Sequence, residues 1–145
     1  MGNFTSYNQA ETNAMKLTMK MYQYAILHLK KVKHLYGECK FKEGEPHLIK
    51  AILIVTELSL QLTTEEQLKT QHKGNEELAS LVEDLRNTYH YSLHVLEHVR
   101  VTKDIRNIDK VINSMSKLYK AFNGEDDQVE GQTQTENGNG AIQNV

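Results

Sequence analysis

The chain has 145 residues, a formal charge of −2, one cysteine, one proline and no tryptophan. That length is enough for one domain with a proper core, the near-neutral charge gives no general basic field for nucleic acid, and no apolar run approaches the roughly 20 residues of a membrane span. A lone Cys39 excludes an internal disulfide and fits a reducing cytosol, and the polar N-terminus lacks the apolar stretch of a signal peptide.

Residues 1–13 offer only Phe4, Tyr7 and Ala10 as apolar handles and read as a loose arm. Residues 14–36 then carry apolar residues at helical spacing, in more than one stripe. Ala14, Leu17, Met21, Ala25, Val32 and Leu35 form one; Met15, Met19, Tyr22, Ile26 and Leu29 form a second, shifted around the helix. A single core-facing seam needs an arc of about 100°, so this helix must touch something on a second side. Either it is flanked by two neighbours in a bundle, or one stripe packs the bundle and the other is a docking groove for a partner helix. Its methionines are unbranched and polarisable, which suits a surface that adapts. Thr12 or Asn13 can cap the start, and Gly37 can take the left-handed conformation that ends it.

The charged stretch 38–45 reads as a connector broken by Gly44, with Pro46 at the first position of a second helix over about 46–62. The run Ala51 to Val55 (AILIV), with Leu48, Ile49, Leu58 and Leu60 around it, predicts a helix buried on several sides. Residues 63–75 are polar and end in Gly74 and Asn75, a loop with at most a frayed helical turn. The third helix has the clearest period: Leu78, Leu81, Val82, Leu85, Tyr89, Leu93, Leu96 and Val99. Thr102 or Asp104 can cap the segment that follows, whose Ile105, Ile108, Val111, Ile112, Met115, Leu118, Tyr119 and Phe122 make a fourth amphipathic helix closed by Gly124. Residues 123–145 are almost wholly Gly, Asn, Gln, Glu and Thr and predict a disordered polar tail. The fold class is therefore all-α: an antiparallel up-down four-helix bundle over residues 14–122 between a flexible arm and the tail.

Chemistry is sparse. No Glu stands three residues before a His, which removes a di-iron bundle site. His90, His94 and His98 repeat every fourth residue, a spacing that can bind zinc, yet they lie beside the apolar seam and not on it, as an exposed histidine row does. Cys39 lacks the setting of a catalytic thiol, and no phosphate loop, nucleophile elbow or paired-carboxylate motif is present. No enzyme activity, cofactor or metal is expected.

Four helical patterns in order carry a resemblance. Leu17-x-Met19-x-Met21-Tyr22-x-x-Ala25-Ile26-x-x-Leu29-Lys30 is similar to the LxLxLYxxAIxxLK signature of the flagellar export chaperones that bind flagellin, the FliS family. The second helix has Leu48-Ile49-Lys50-Ala51-x-x-Ile54-x-x-Glu57-Leu58, resembling that family's KAxxIxxEL pattern. The third has Leu85 and then Tyr89-His90-Tyr91, close to LYxY, and beyond it Lys103-Asp104 and Ile108-Asp109-x-Val111 resemble the KD and IDEV run. The likeness spans about residues 7–122. Departures are Thr18 and Lys20 in the first helix, His28 where an aromatic is frequent, and Phe122 in place of a closing tryptophan.

The resemblance implies a cytosolic secretion chaperone that holds the C-terminal segment of flagellin in helical form, keeps subunits from polymerising early and presents them to the flagellar export gate. It also implies a flagellin-binding groove, for which Tyr7, Met15, Met19, Tyr22, Ile26, Leu29, Tyr89 and Tyr91 are the candidates, with Tyr7 as a plug on the empty groove. Without client the protein is a monomer or a weak homodimer. An adaptor or regulator that binds an amphipathic helix of another protein uses the same surface and differs only in client.

Overall fold

The computed structural model describes residues 2–69 and 76–124, with side chains over 13–62 and 79–124. Four α-helices follow one another: α1 (Gly2–Gly37), α2 (Phe41–Lys69), α3 (Glu76–Thr102) and α4 (Ile108–Phe122). Hydrogen bonds fix their directions. Gln23 Nε2 donates to Tyr119 Oη (2.9 Å) and Lys33 Nζ to Asp109 Oδ2 (3.1 Å), so ten residues forward along α1 are ten residues back along α4. On the other flank His28 meets His47 and Met21 meets Gln61, again in opposite senses. Helix α1 thus lies antiparallel to both α2 and α4, and α3 packs diagonally across the core, where the Tyr22 and Tyr89 hydroxyls share a hydrogen bond of 2.5 Å. This is the all-α bundle that the four periodic segments predict.

The core is drawn from all four helices. Tyr22, Ala25, Leu29, Val32 and Tyr36 are the buried edge of α1; Leu48, Ala51, Val55, Leu58 and Leu62 that of α2. Val82, Tyr89, Ser92, Val95, Leu96 and Val99 come from α3, and Ile108, Val111, Ile112 and Met115 from α4. Spacings of three and four turn these residues into one face per helix. Full burial of each Leu, Ile or Met in this set stabilises the fold by about 1.5–3 kcal/mol.

Several helix boundaries differ from those the sequence predicts. The α1 backbone is helical from Gly2, well before the Asn13 cap. Its C-terminus is not closed by Gly37. Cys39 takes the left-handed conformation instead (φ 60°), while its amide donates to Tyr36 O (3.0 Å) and the Lys40 amide to Leu35 O (2.8 Å). That pair of reversed bonds is a Schellman closure, which is usually made by glycine. It turns the chain within three residues, so α2 starts at Phe41 and the expected connector 38–45 is mostly helix. Phe41 is drawn in because its ring packs edge-on against Tyr36, with centroids 5.1 Å apart. Pro46 consequently sits inside α2, not at its start. At the other end α2 continues to Lys69, through the polar stretch expected as loop.

Helix α3 also ends on a left-handed residue, but in the simpler single-bond form: Lys103 has φ 65° and its amide donates to Val99 O at 2.8 Å. Thr102 and Asp104 cap the link and not α4. The Thr102 hydroxyl accepts from the Asp104 amide (3.2 Å) and Asp104 Oδ1 from the Arg106 amide (3.0 Å), whereas Asn107 precedes α4 with no side-chain cap. Ile105, expected within the fourth helix, belongs to this link, and Gly124 closes α4 with a positive φ of 81°. Residues 125–145, the expected polar tail, lie outside the described residues.

Candidate docking site

Both stripes of α1 are used by the bundle. Met21 turns towards α2, where Gln61 Nε2 lies 3.8 Å from its sulfur. Ile26 is half-buried and lies two turns before Lys33, the residue that pairs with Asp109 of α4, which puts it on the α4 side. The helix is flanked by two neighbours, and its buried edge takes residues from each stripe. The apolar surface left over is therefore found elsewhere than one whole stripe.

Its position follows from helix lengths. The α1–α4 register that pairs Gln23 with Tyr119 sets Lys20 opposite Phe122, where α4 stops. Residues 13–19 of α1 have no α4 beside them, although α2 and α3 extend past this level. Among the described residues the bundle has three walls there. In the gap is a cavity of about 250 Å³ lined by Met15, Tyr22, Leu58, Leu62, Leu85 and Tyr89, among others, with Phe122 at its edge. Tyr22 is its floor: its ring lies 5.5 Å from that of Phe122 and its hydroxyl meets Tyr89. Around the same end Met15 (48% exposed), Leu17 (57%), Leu60 and Leu81 stand out in solvent.

A second run of exposed apolar side chains lies on α2. Ile49, Leu53 (62% exposed) and Leu60 are four and seven residues apart and so share a face. The AILIV segment is thus not buried on several sides: Ala51 and Val55 enter the core, Ile52 and Ile54 are half-buried, and Leu53 points out. Tyr24 and Leu27 add exposed surface on α1. Exposed apolar side chains sharing a face are candidates for a binding surface.

The eight candidate groove residues divide accordingly. Met15, Tyr22 and Tyr89 converge on the cavity, the first as an exposed rim and the other two as its buried lining. Met19 and Ile26 are half-buried along α1. Leu29 is fully buried among core residues and faces no solvent. Tyr91 is 42% exposed but lines a different hollow, with His94, His98 and Asp104 near the C-terminus of α3. The side chain of Tyr7 lies outside the described residues. Periodicity alone did not single out Leu17, Leu60 or Leu81, because each fits its helix's apolar pattern. The available signal was relative length: the last apolar residue of the fourth helix comes too soon to cover the start of the first.

The site has little charge. Nearby polar groups include two tyrosine hydroxyls, the Thr18 hydroxyl, the Gln61 amide and methionine sulfur, and none of the described His, Cys, Asp or Glu residues forms a group of three that could hold a metal. On α3, Arg86 pairs with Glu83 on either side of Leu85, and further pairs lie on the outer surface, where Arg100 holds Glu97 and Arg106 holds Asp104. Arg106 also keeps the Asp104 carboxyl at a pKa of about 2. A lining of this kind offers shape and apolar surface to a ligand. Among the described residues no helix is long and apolar enough to cross a membrane.

Comparison with curated proteins and with solved structures gives no match. A family model does match, described as flagellar protein FliS, and it covers residues 4–129, most of the chain and all four helices. With the four-helix architecture and the motifs of α1 to α4 in the same order, this chain belongs to the FliS family of flagellar export chaperones.

Proposed function

We propose that the protein is a cytosolic chaperone for flagellin. The C-terminal segment of flagellin, an amphipathic helix when bound, enters the end of the bundle that α4 leaves uncovered and continues along the exposed apolar edge. Held there, the segment cannot pair with other subunits, and the complex is passed to the export gate. The observation that carries this reading is the cavity beside Met15, Tyr22 and Tyr89, with exposed Leu81 four residues before its lining Leu85 and exposed Leu17 at the same end of α1. One large apolar side chain seated in the cavity contributes about 1.5–3 kcal/mol, and several such anchors at helical spacing supply specific binding. A client that is unstructured when free spends part of that energy on ordering, which makes the complex reversible at the export step.

Calorimetric titration with a C-terminal flagellin peptide from the same organism tests the proposal. One-to-one binding with a negative heat-capacity change and a gain in helicity is expected. Leu17→Ser should weaken it about tenfold or more, equivalent to about 1.4 kcal/mol, while leaving the bundle folded. A folded bundle that binds no flagellin peptide would move the client to some other protein's amphipathic helix.

A further inference from the structure

Across the α1–α2 seam, away from the cavity, His28 of α1 faces His47 of α2. Their Nδ1 atoms are 3.0 Å apart, and the rings stack with centroids at 5.2 Å and planes 29° apart. A bond between two Nδ1 atoms requires that one carry a proton and the other present a lone pair. It survives while at least one ring is neutral, and in the doubly protonated pair two N–H groups point at each other with no acceptor between them. Both rings are half-buried. The charged groups acting on them are Lys31 on α1 and Lys50 on α2, one from each helix of the seam, and both are positive. Full protonation thus gathers four positive charges at one crossing.

We propose that the His28–His47 pair is a proton-operated latch between α1 and α2, closed while either ring is neutral and released when both are charged. The surroundings oppose release near neutrality. Burial above all, then His47 and the two lysines, lowers the proton affinity of His28, and burial followed by Lys31 and Lys50 does the same for His47. The folded state therefore binds fewer protons than the unfolded chain below the ordinary histidine value of about 6.5. Stability contributed by the pair is whole above that value and is lost as pH falls below it. Because the latch joins the two helices that carry most of the exposed apolar surface, acidification loosens the scaffold of the docking face without touching its residues.

Imidazole titration by NMR and amide hydrogen exchange on the full chain test this directly. Both rings should titrate below the ordinary histidine value. Between pH 7.5 and 5.0, exchange protection around residues 26–30 and 45–50, corrected for intrinsic rates, should fall. The α1–α4 seam near Lys33 and Asp109 should not follow. In His47→Asp the partner of His28 becomes an anion, so protonation of His28 should tighten the seam over the same range and reverse the sign of the effect. Titration of both rings at or above the ordinary value, unchanged protection at low pH, or the same sign in His47→Asp would overturn the proposal.

Discussion

Gly44 should resist even the smallest side chain, and the reason lies in α1. A Cβ built at Gly44 falls 2.7 Å from both Cδ1 and Cε1 of Tyr36 and 3.3 Å from Leu35 Cβ. Carbon atoms rest comfortably at about 3.5–4.0 Å, so the methyl overlaps the ring by about an ångström. The ring has nowhere to go: Tyr36 is buried and Phe41 stands edge-on against it. Replacing glycine by alanine inside a helix is ordinarily favourable by up to about 1 kcal/mol, whereas overpacking a well-filled core costs about 1–3 kcal/mol. Gly44→Ala should therefore lower stability by up to about 2 kcal/mol against the helix-propensity trend. The cause can be isolated in the background Tyr36→Leu, which removes the ring at a site where the Tyr36 hydroxyl has no hydrogen-bond partner among the described residues. There the same substitution should become neutral or stabilising, a coupling of about 1–3 kcal/mol. Urea unfolding of the four proteins, followed by far-ultraviolet circular dichroism, measures it. Stabilisation by Gly44→Ala with Tyr36 present, or equal effects in the two backgrounds, would refute the reasoning.

Changes at two other positions test the link geometry. Cys39→Gly should raise stability by about 1 kcal/mol, since a left-handed residue other than glycine costs about 1–2 kcal/mol, and Cys39→Val should lower it; thermal unfolding reads both signs. Asp104 has its carboxyl held at a pKa of about 2, first by the Arg106 side chain and then by the Arg106 amide. Its folded value lies below the unfolded one of 3.8, so its contribution is present above about pH 4 and is lost as pH falls towards 2. An Asp104→Asn variant should have a shallower fall in unfolding midpoint across that interval, and an unchanged slope would count against the pairing.

The four helices and most of the core were legible because amphipathic period depends only on residues three and four apart. In α4 the pattern Ile108, Val111, Ile112 and Met115 is the buried face itself. Boundaries were less legible because tertiary contacts decide them. Gly37 and Gly44 look like stop signals, yet the turn is made at Cys39 once the Leu35 and Tyr36 carbonyls find their amides, and Gly44 serves a close approach and not a break. The docking residues divided for a similar reason. An apolar period shows that Tyr22, Leu29 and Leu17 lie on helix surfaces facing something, but which of them faces solvent depends on where the neighbouring helices sit around α1. Leu29 falls on the core face and is fully buried; Leu17, four residues before Met21 and seven before exposed Tyr24, falls on the outer edge of the α1–α2 seam and is exposed. The His28–His47 contact joins positions nineteen residues apart on separate helices, a pairing that no local pattern encodes.

The shortness of α4 also sets how the molecule breathes. Opening free energy varies within a fold with the density of buried contacts, so a bundle that is four helices deep at one end and three at the other has a gradient along its axis. Amides of α1 near Lys16 and of α3 near Leu81 should exchange by brief local opening, while those around Val32, Leu96 and Val111 wait for global unfolding. On the proposed reading, a folding client would enter at the end that opens most readily, so local opening there and not global stability would set the rate of its entry.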